Sequence, residues 1–320
     1  MHKLTYYNHI DLPEVTMADL ERLLRSETGV IWADITNPTA EDVILLEKVF
    51  KFHPLAVEDV QNQAQRPKAE EFTNYLFIIL NPIEHTTEAV SFRELDVFIG
   101  HNYFVTIHRN HEPLIDEAKA RIEPDRLPFA LSSSYLLYIL FDTVVDHYMP
   151  TLEALENEID TVGDAILNQP DSDVIHRLFR LKRSLNEMWW VIWPQHDIIN
   201  TLMNHNLVFI DSKSQYYLRD VADHLVRVTN TVQSLRDTVP SLINLQMSAV
   251  SNRLNRAVNG LTLMTIVIGV SAVIGSFYGM NFIHTWPPFD APWGVPAALL
   301  MMVSASLLVY LLLRWRGFIK

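Results

Sequence analysis

The sequence predicts a mixed α/β domain, then a long helical stalk, then two C-terminal helices that cross a membrane. Three observations carry this reading. Short β-rich runs bounded by Asn, Pro and Gly occupy the first third. From Phe129 onward apolar residues recur at steps of three and four, with few breakers. Near the C-terminus, 257–289 and 291–313 contain no Asp, Glu, Lys or Arg.

Composition narrows the function. The 320 residues are 49% hydrophobic and 20% charged, too apolar for a disordered chain. Cysteine is absent, which excludes disulfides, thiolate metal sites and cysteine nucleophiles. The formal net charge is −13, opposite in sign to the usual nucleic-acid binder. The acidity lies ahead of Ser251; after it the only acid is Asp290. No nucleophile–base pair, phosphate loop or paired catalytic carboxylate stands out, so neither an enzyme nor an organic substrate is expected.

Taken in order, 1–125 reads as a cytoplasmic α/β domain. Val30–Ile35 is a strand and Thr39–Phe50 a helix with acids in its early turns. His53-Pro54 interrupts it, and Leu55–Val60 resumes. Tyr75–Leu80, Leu95–Ile99 and Tyr103–Ile107 are strands; Pro113–Ile122 is helical. Long antiparallel helices are expected over 126–210, one from Phe129 to Leu167 and one from Ser172 to Asn204. A stalk helix is expected over 211–260. Its stripe is Leu218, Val221, Leu225, Val228, Val232 and Leu235, and Pro240 should bend it. Continued into the first span, it reaches about 65 residues, or ~100 Å. One helix cannot bury its own stripe, so oligomerisation is expected to cover it.

The spans are placed at 261–281 and 293–313, with an outer loop at 282–292 and a basic tail at 314–320. Each apolar run approaches the ~20 residues that cross a ~30 Å hydrocarbon core. Arg253 and Arg256 precede the first span; Arg314, Arg316 and Lys320 follow the second. The positive-inside rule puts both termini in the cytoplasm. Trp286, Trp293 and Trp315 lie where interfacial belts form. The N-terminus has no apolar run of the kind a signal peptide needs.

The first span ends in Tyr278-Gly279-Met280-Asn281. Gly-Met-Asn in that position resembles the CorA family of divalent-cation channels. His53–Val60, Gln65–Leu80, Tyr135–Tyr148, Tyr216–His224 and Ser251–Asn255 also resemble family stretches, so the likeness covers nearly the whole chain. It implies a funnel-shaped homopentamer in the inner or plasma membrane of a prokaryote, with the first span lining the pore.

The implied cargo is Mg2+, with Co2+ and Ni2+ secondary. Mg2+ holds its water shell tightly. A ring of neutral oxygens can grip the hydrated ion without trapping it. Gly279, Met280 and Asn281 are the implied selectivity filter. Gly279 is expected to turn the chain sharply, with Tyr278 and Met280 packed to hold that turn. Asn281 also suits a helix C-cap. The pore wall is traced through Asn255, Val258, Leu261, Thr262, Thr265, Gly269, Ala272 and Ser276, a face equally suited to helix–helix contact. Leu261 matches a family constriction. Val258, Gly269 and Val270 depart from the family's Met, Met and Pro.

By resemblance, Asp220 is a cytoplasmic regulatory Mg2+ ligand, with a partner near Glu84 or Glu88; Asp220 equally suits a solvated stalk charge beside Arg219. A second family acid is Asn244 here. In the outer loop the acid has moved to Asp290 and His284 is extra. Imidazole suits transition metals, so a Zn2+ transporter of the related ZntB branch is the second reading. A non-conducting, membrane-anchored helical assembly protein is the third. His108 and His111 have no third ligand nearby in sequence, which argues against zinc there.

Overall fold

The computed structural model describes residues 2–7, 16–26, 29–62, 65–84, 90–122, 131–168, 172–204, 207–280, 286–288 and 291–316. The chain divides into two compact units, Met1–Ile243 and Asn244–Lys320. The division falls inside the segment expected to be the stalk.

The first unit is built on a six-stranded sheet of order β1-β2-β8-β7-β4-β3. Its strands are β1 (His2–Tyr7), β2 (Val30–Thr36), β3 (Lys68–Glu71), β4 (Leu76–Leu80), β7 (Leu95–Ile99) and β8 (Tyr103–His108). β5 (Ile83–Glu84) and β6 (Ser91–Phe92) form a separate ribbon. β2 and β8 run parallel; the other pairs are antiparallel. The central strands are apolar at nearly every position because both faces are covered. The row Ala33, Val105, Phe98 and Phe77 joins Leu46, Phe52 and Val57 in one core. These last come from α2 (Ala40–Lys48), α3 (Pro54–Gln61) and the turn between them. Phe98 stacks on Phe52 at 4.0 Å and on Phe77 at 4.5 Å between ring centroids.

Helix starts follow local chemistry. Thr39 and Asp42 form a capping box on α2, and His53 caps α3 ahead of Pro54. The edge strands β1 and β3 and helix α1 (Met17–Leu24) were not read from the sequence. KAEE in β3 is polar and only half covered, as an edge that resists further pairing should be. β1 buries Leu4 and Tyr6.

The opposite sheet face meets α5 (Ser133–Asp146), and α4 (Pro113–Ala120) reaches it through Lys119. The helix expected over Phe129–Leu167 is two helices, since α6 (Tyr148–Asn168) begins after His147; Phe129 itself lies outside the described residues. Pro150 explains the break: its ring would collide with the carbonyl of Asp146 in a continuous helix. α7 (Ser172–Asn204) and α8 (Ser214–Tyr278) match their expected ranges, and α8 runs unbroken through Pro240.

The stripe Leu218–Leu235 is buried within the chain itself. Oligomerisation is therefore not needed to cover it, contrary to the expectation. α7 flanks α8 here: Arg236 of α8 donates to Asn186 Oδ1 at 3.1 Å and lies 4.6 Å over the Trp189 ring.

Candidate functional site: a membrane-length helix and a carboxylate–histidine cluster

The second unit consists of the end of α8 and of α9 (Gly294–Trp315). Both helices are long and apolar enough to cross a membrane, and their most apolar windows are 0% and 6% buried. α8 carries two faces. Leu263, Ile266, Val270 and Ile274 are half covered. Gly275 lies beside them, and a Cβ there would sit 3.5 Å from Met302 of α9. All eight residues of the expected pore wall, Asn255 to Ser276, fall on exposed positions. At Gly260 and Gly269 an added Cβ would meet nothing within 4 Å.

The polar residues of that face are compatible with an apolar helix. Thr262 and Thr265 donate their hydroxyls to the carbonyls of Val258 and Leu261, each at 2.8 Å. Their oxygens stay outward with lone pairs to offer.

Beyond the apolar run, Tyr278 Oη donates to the Trp286 carbonyl at 2.6 Å, which ties the end of α8 to the segment that follows. Met280 is 58% exposed among the described residues. Gly279 follows the last residue of α8, and its amide donates to Gly275 O at 3.0 Å, closing the final turn without a left-handed backbone. Asn281, His284 and Asp290 lie outside the described residues.

In the first unit, Asp220 and His224 stand one turn apart on α8. Asp142 of α5 meets them, and one ligand atom from each lies within 4.8 Å of the others. Asp142 is buried, His224 half-buried and Asp220 exposed. Asp142 Oδ1 is buried without a hydrogen-bond partner. It lies 3.8 Å from His224 Nδ1, which is also 3.9 Å from Asp146 Oδ1. Arg121, the C-cap of α4, donates to Asp142 Oδ2 and, at 2.7 Å, to Thr143 Oγ1. Burial and the neighbouring Asp142 charge raise the Asp146 carboxyl above its ordinary range. The same two causes push the Tyr138 phenol up to about 12.

Two carboxylates, one of them with a buried unpartnered oxygen, and an imidazole suit a divalent cation. Asp142 and His224 were not read as ligands from the sequence. His224 was legible as the residue four after Asp220; Asp142 comes from another helix. Glu84 does not join them within the chain. It is held by Arg93 at 2.6 Å and Ser91 at 3.2 Å, and the Arg93 guanidinium lowers its carboxyl below the usual range. Glu88 lies outside the described residues.

His108 and His111 do not converge. His108 Nε2 faces Asp34 at 3.2 Å and its Nδ1 faces Asn110 O at 2.8 Å, whereas exposed His111 sits beside Asp116. Asp34 is a structural charge. Burial pushes its carboxyl up, but His108, Lys119 and Thr106 together outweigh this and bring it to about 2.

Known proteins share this architecture. The cobalt/magnesium transport protein CorA of Thermotoga maritima is 30% identical over 312 residues, covering 95% of this chain and 89% of that protein. The complete CorA magnesium transporter of Methanocaldococcus jannaschii superposes with a TM-score of 0.77 at 20% identity, covering 98% of this chain and 97% of that one. The cytoplasmic domain of ZntB from Vibrio parahaemolyticus gives 0.61 at 14% identity, over 78% of this chain and 97% of that one. The family model "CorA-like Mg2+ transporter protein" matches residues 27–315, and the chain belongs to that family.

Proposed function

We propose that the chain is a passive divalent-cation channel, organised as a homopentamer in a lipid bilayer, that takes up Mg2+ and secondarily Co2+ and Ni2+. The observation that carries this reading is the face Asn255, Val258, Leu261, Thr262, Thr265, Gly269, Ala272 and Ser276. It is polar or small for most of its length, exposed throughout, and leads to Gly279-Met280-Asn281. Copies of α8 meeting on it would line a path for a hydrated ion. Five Asn281 amide oxygens would accept hydrogen bonds from the ion's water shell. Leu261 and Val258, both large, apolar and outward, would narrow the path below and close it by dewetting. In this reading 211–260 is the stalk, 261–281 and 293–313 are the spans, and 282–292 faces outside.

The cluster of Asp142, Asp220 and His224 would hold a regulatory cation. Empty, its carboxylates repel; occupied, they are drawn together, so metal favours one state of the helices that carry them. The imidazole also fits Co2+, Ni2+ or Zn2+.

The test is uptake into proteoliposomes with a trapped dye, comparing Mg2+, Co2+, Ni2+ and Zn2+ with and without a pH gradient. Mg2+ flux that needs no gradient and disappears in Asn281→Ala is the expected result. Mg2+ flux unchanged by Asn281→Ala would overturn the filter. Zn2+ flux driven by a proton gradient would favour the second reading, a Zn2+ transporter, to which His284 in the outer loop points. Absence of flux for every ion would leave a membrane-anchored assembly protein.

A further inference from the structure

We infer that the Arg121 guanidinium is the resident counter-ion of the Asp142–Asp220–His224 cluster and competes with the metal ion for the Asp142 carboxylate. This rests on the reading of that cluster as a cation site.

The two oxygens of Asp142 have different surroundings. Oδ2 accepts from Arg121, while Oδ1 is buried without a hydrogen bond and faces the other two metal-ligating groups. The Asp142 side chain is only 7% exposed, and a buried carboxylate is costly without a counter-charge. Arg121 supplies that charge. Its Nη2 holds Asp142, while its Nη1 donates to Thr143 and lies 3.8 Å from Asp146.

Asp142 and Asp146 share this guanidinium, and Asp220 brings a further carboxylate oxygen within 4.8 Å of Asp142. A divalent cation on Oδ1 would add the positive charge that this group of carboxylates attracts. It also places two cations on one carboxylate, a few ångströms apart. The same contact that keeps the empty site folded thus weakens metal binding, and bound metal must in turn loosen Arg121. Such coupling is reciprocal by thermodynamic necessity. Arg121 ends α4, whose Lys119 holds Asp34 of the central sheet at 2.9 Å. Loosening Arg121 removes one of the ties between α4 and α5.

The experiment is a Co2+ titration of the full chain in detergent, followed by calorimetry, by the visible Co2+ absorption and by thermal melting. The proteins are wild type, Arg121→Gln, Arg121→Lys and Asp142→Asn. Asp142→Asn should lose the Co2+ band and the associated heat, which identifies the signal of this site. Arg121→Gln should melt lower without metal, bind Co2+ about tenfold more tightly than wild type, and gain a larger melting shift from it. Arg121→Lys keeps the charge but loses the fork, so its affinity should lie between the two, roughly threefold above wild type. That variant carries the test if Arg121→Gln does not fold.

Equal or weaker Co2+ binding in the Arg121 variants, with Asp142→Asn still losing the site, would overturn the inference. Arg121 would then position Asp142 for the metal, and the cluster would remain a cation site. If no protein shows Asp142-dependent Co2+ binding, both the inference and the cytoplasmic site fall.

Discussion

Phe77, Phe98 and Leu225 in the first unit are wholly buried; Leu261, Ile268 and Leu300 in the second are 67%, 68% and 69% exposed. The residue types are alike and the solvents are not. In water, burying apolar area stabilises by roughly 25 cal/mol per Å², so a chain that can close a core does so. Hydrocarbon offers no such gain, and apolar side chains can point outward at no cost. Charge follows the same division. The first unit buries Asp34 and Asp142 against cations, whereas the membrane-spanning runs carry no charge and satisfy Thr262 and Thr265 on their own backbone. The first unit is ordered by packed rings and paired charges, whereas the second is suited to hydrocarbon by its lack of charge and by hydroxyls satisfied on their own backbone.

Matched substitutions sharpen that contrast. Phe98→Ala should destabilise the first unit by about 3–5 kcal/mol, since it empties a site stacked on Phe52 and Phe77. Phe277→Ala, at a residue 56% exposed, should shift the melting of the purified chain far less. Equal shifts would break the comparison.

The second effect is smaller and pH-dependent. Asp34 titrates at about 2 in the fold, below the ordinary 3.8. A depressed carboxyl stabilises the fold above its unfolded pKa, and the contribution is lost as pH falls from about 4 toward 2. The loss should amount to about 2 kcal/mol. Asp34→Asn should flatten the acid limb of a stability–pH curve; an unchanged slope would remove Asp34 from the account.

The smallest effect lies at the membrane boundary. Tyr278→Phe deletes one hydroxyl bond to the Trp286 carbonyl and should cost about 1 kcal/mol. Thermal melting in detergent would read it as a slight shift. A collapse as large as that of Phe98→Ala would show that the end of the helix depends on this tie.

Sequence alone determined the elements whose signals are local. Charge-free apolar runs of membrane length mark the spans because a charge in hydrocarbon is costly. Thr39, Pro54 and Pro113 mark helix starts because capping and proline geometry act within one turn. The periodic stripe of α8 announces its buried face. Pro150 could have announced the break after α5. The edge strands left no such mark: KAEE and HKLTYY gain their order from neighbours, not from their own apolar content. Only the tertiary structure brought Asp142 to Asp220 and His224 and placed Arg121 beside them. These residues lie on α4, α5 and α8, roughly a hundred positions apart at the extremes. A chain records which side chains share a turn. Which side chains share a site depends on how its helices pack, and the cost of leaving Asp142 buried without a counter-charge is settled only there.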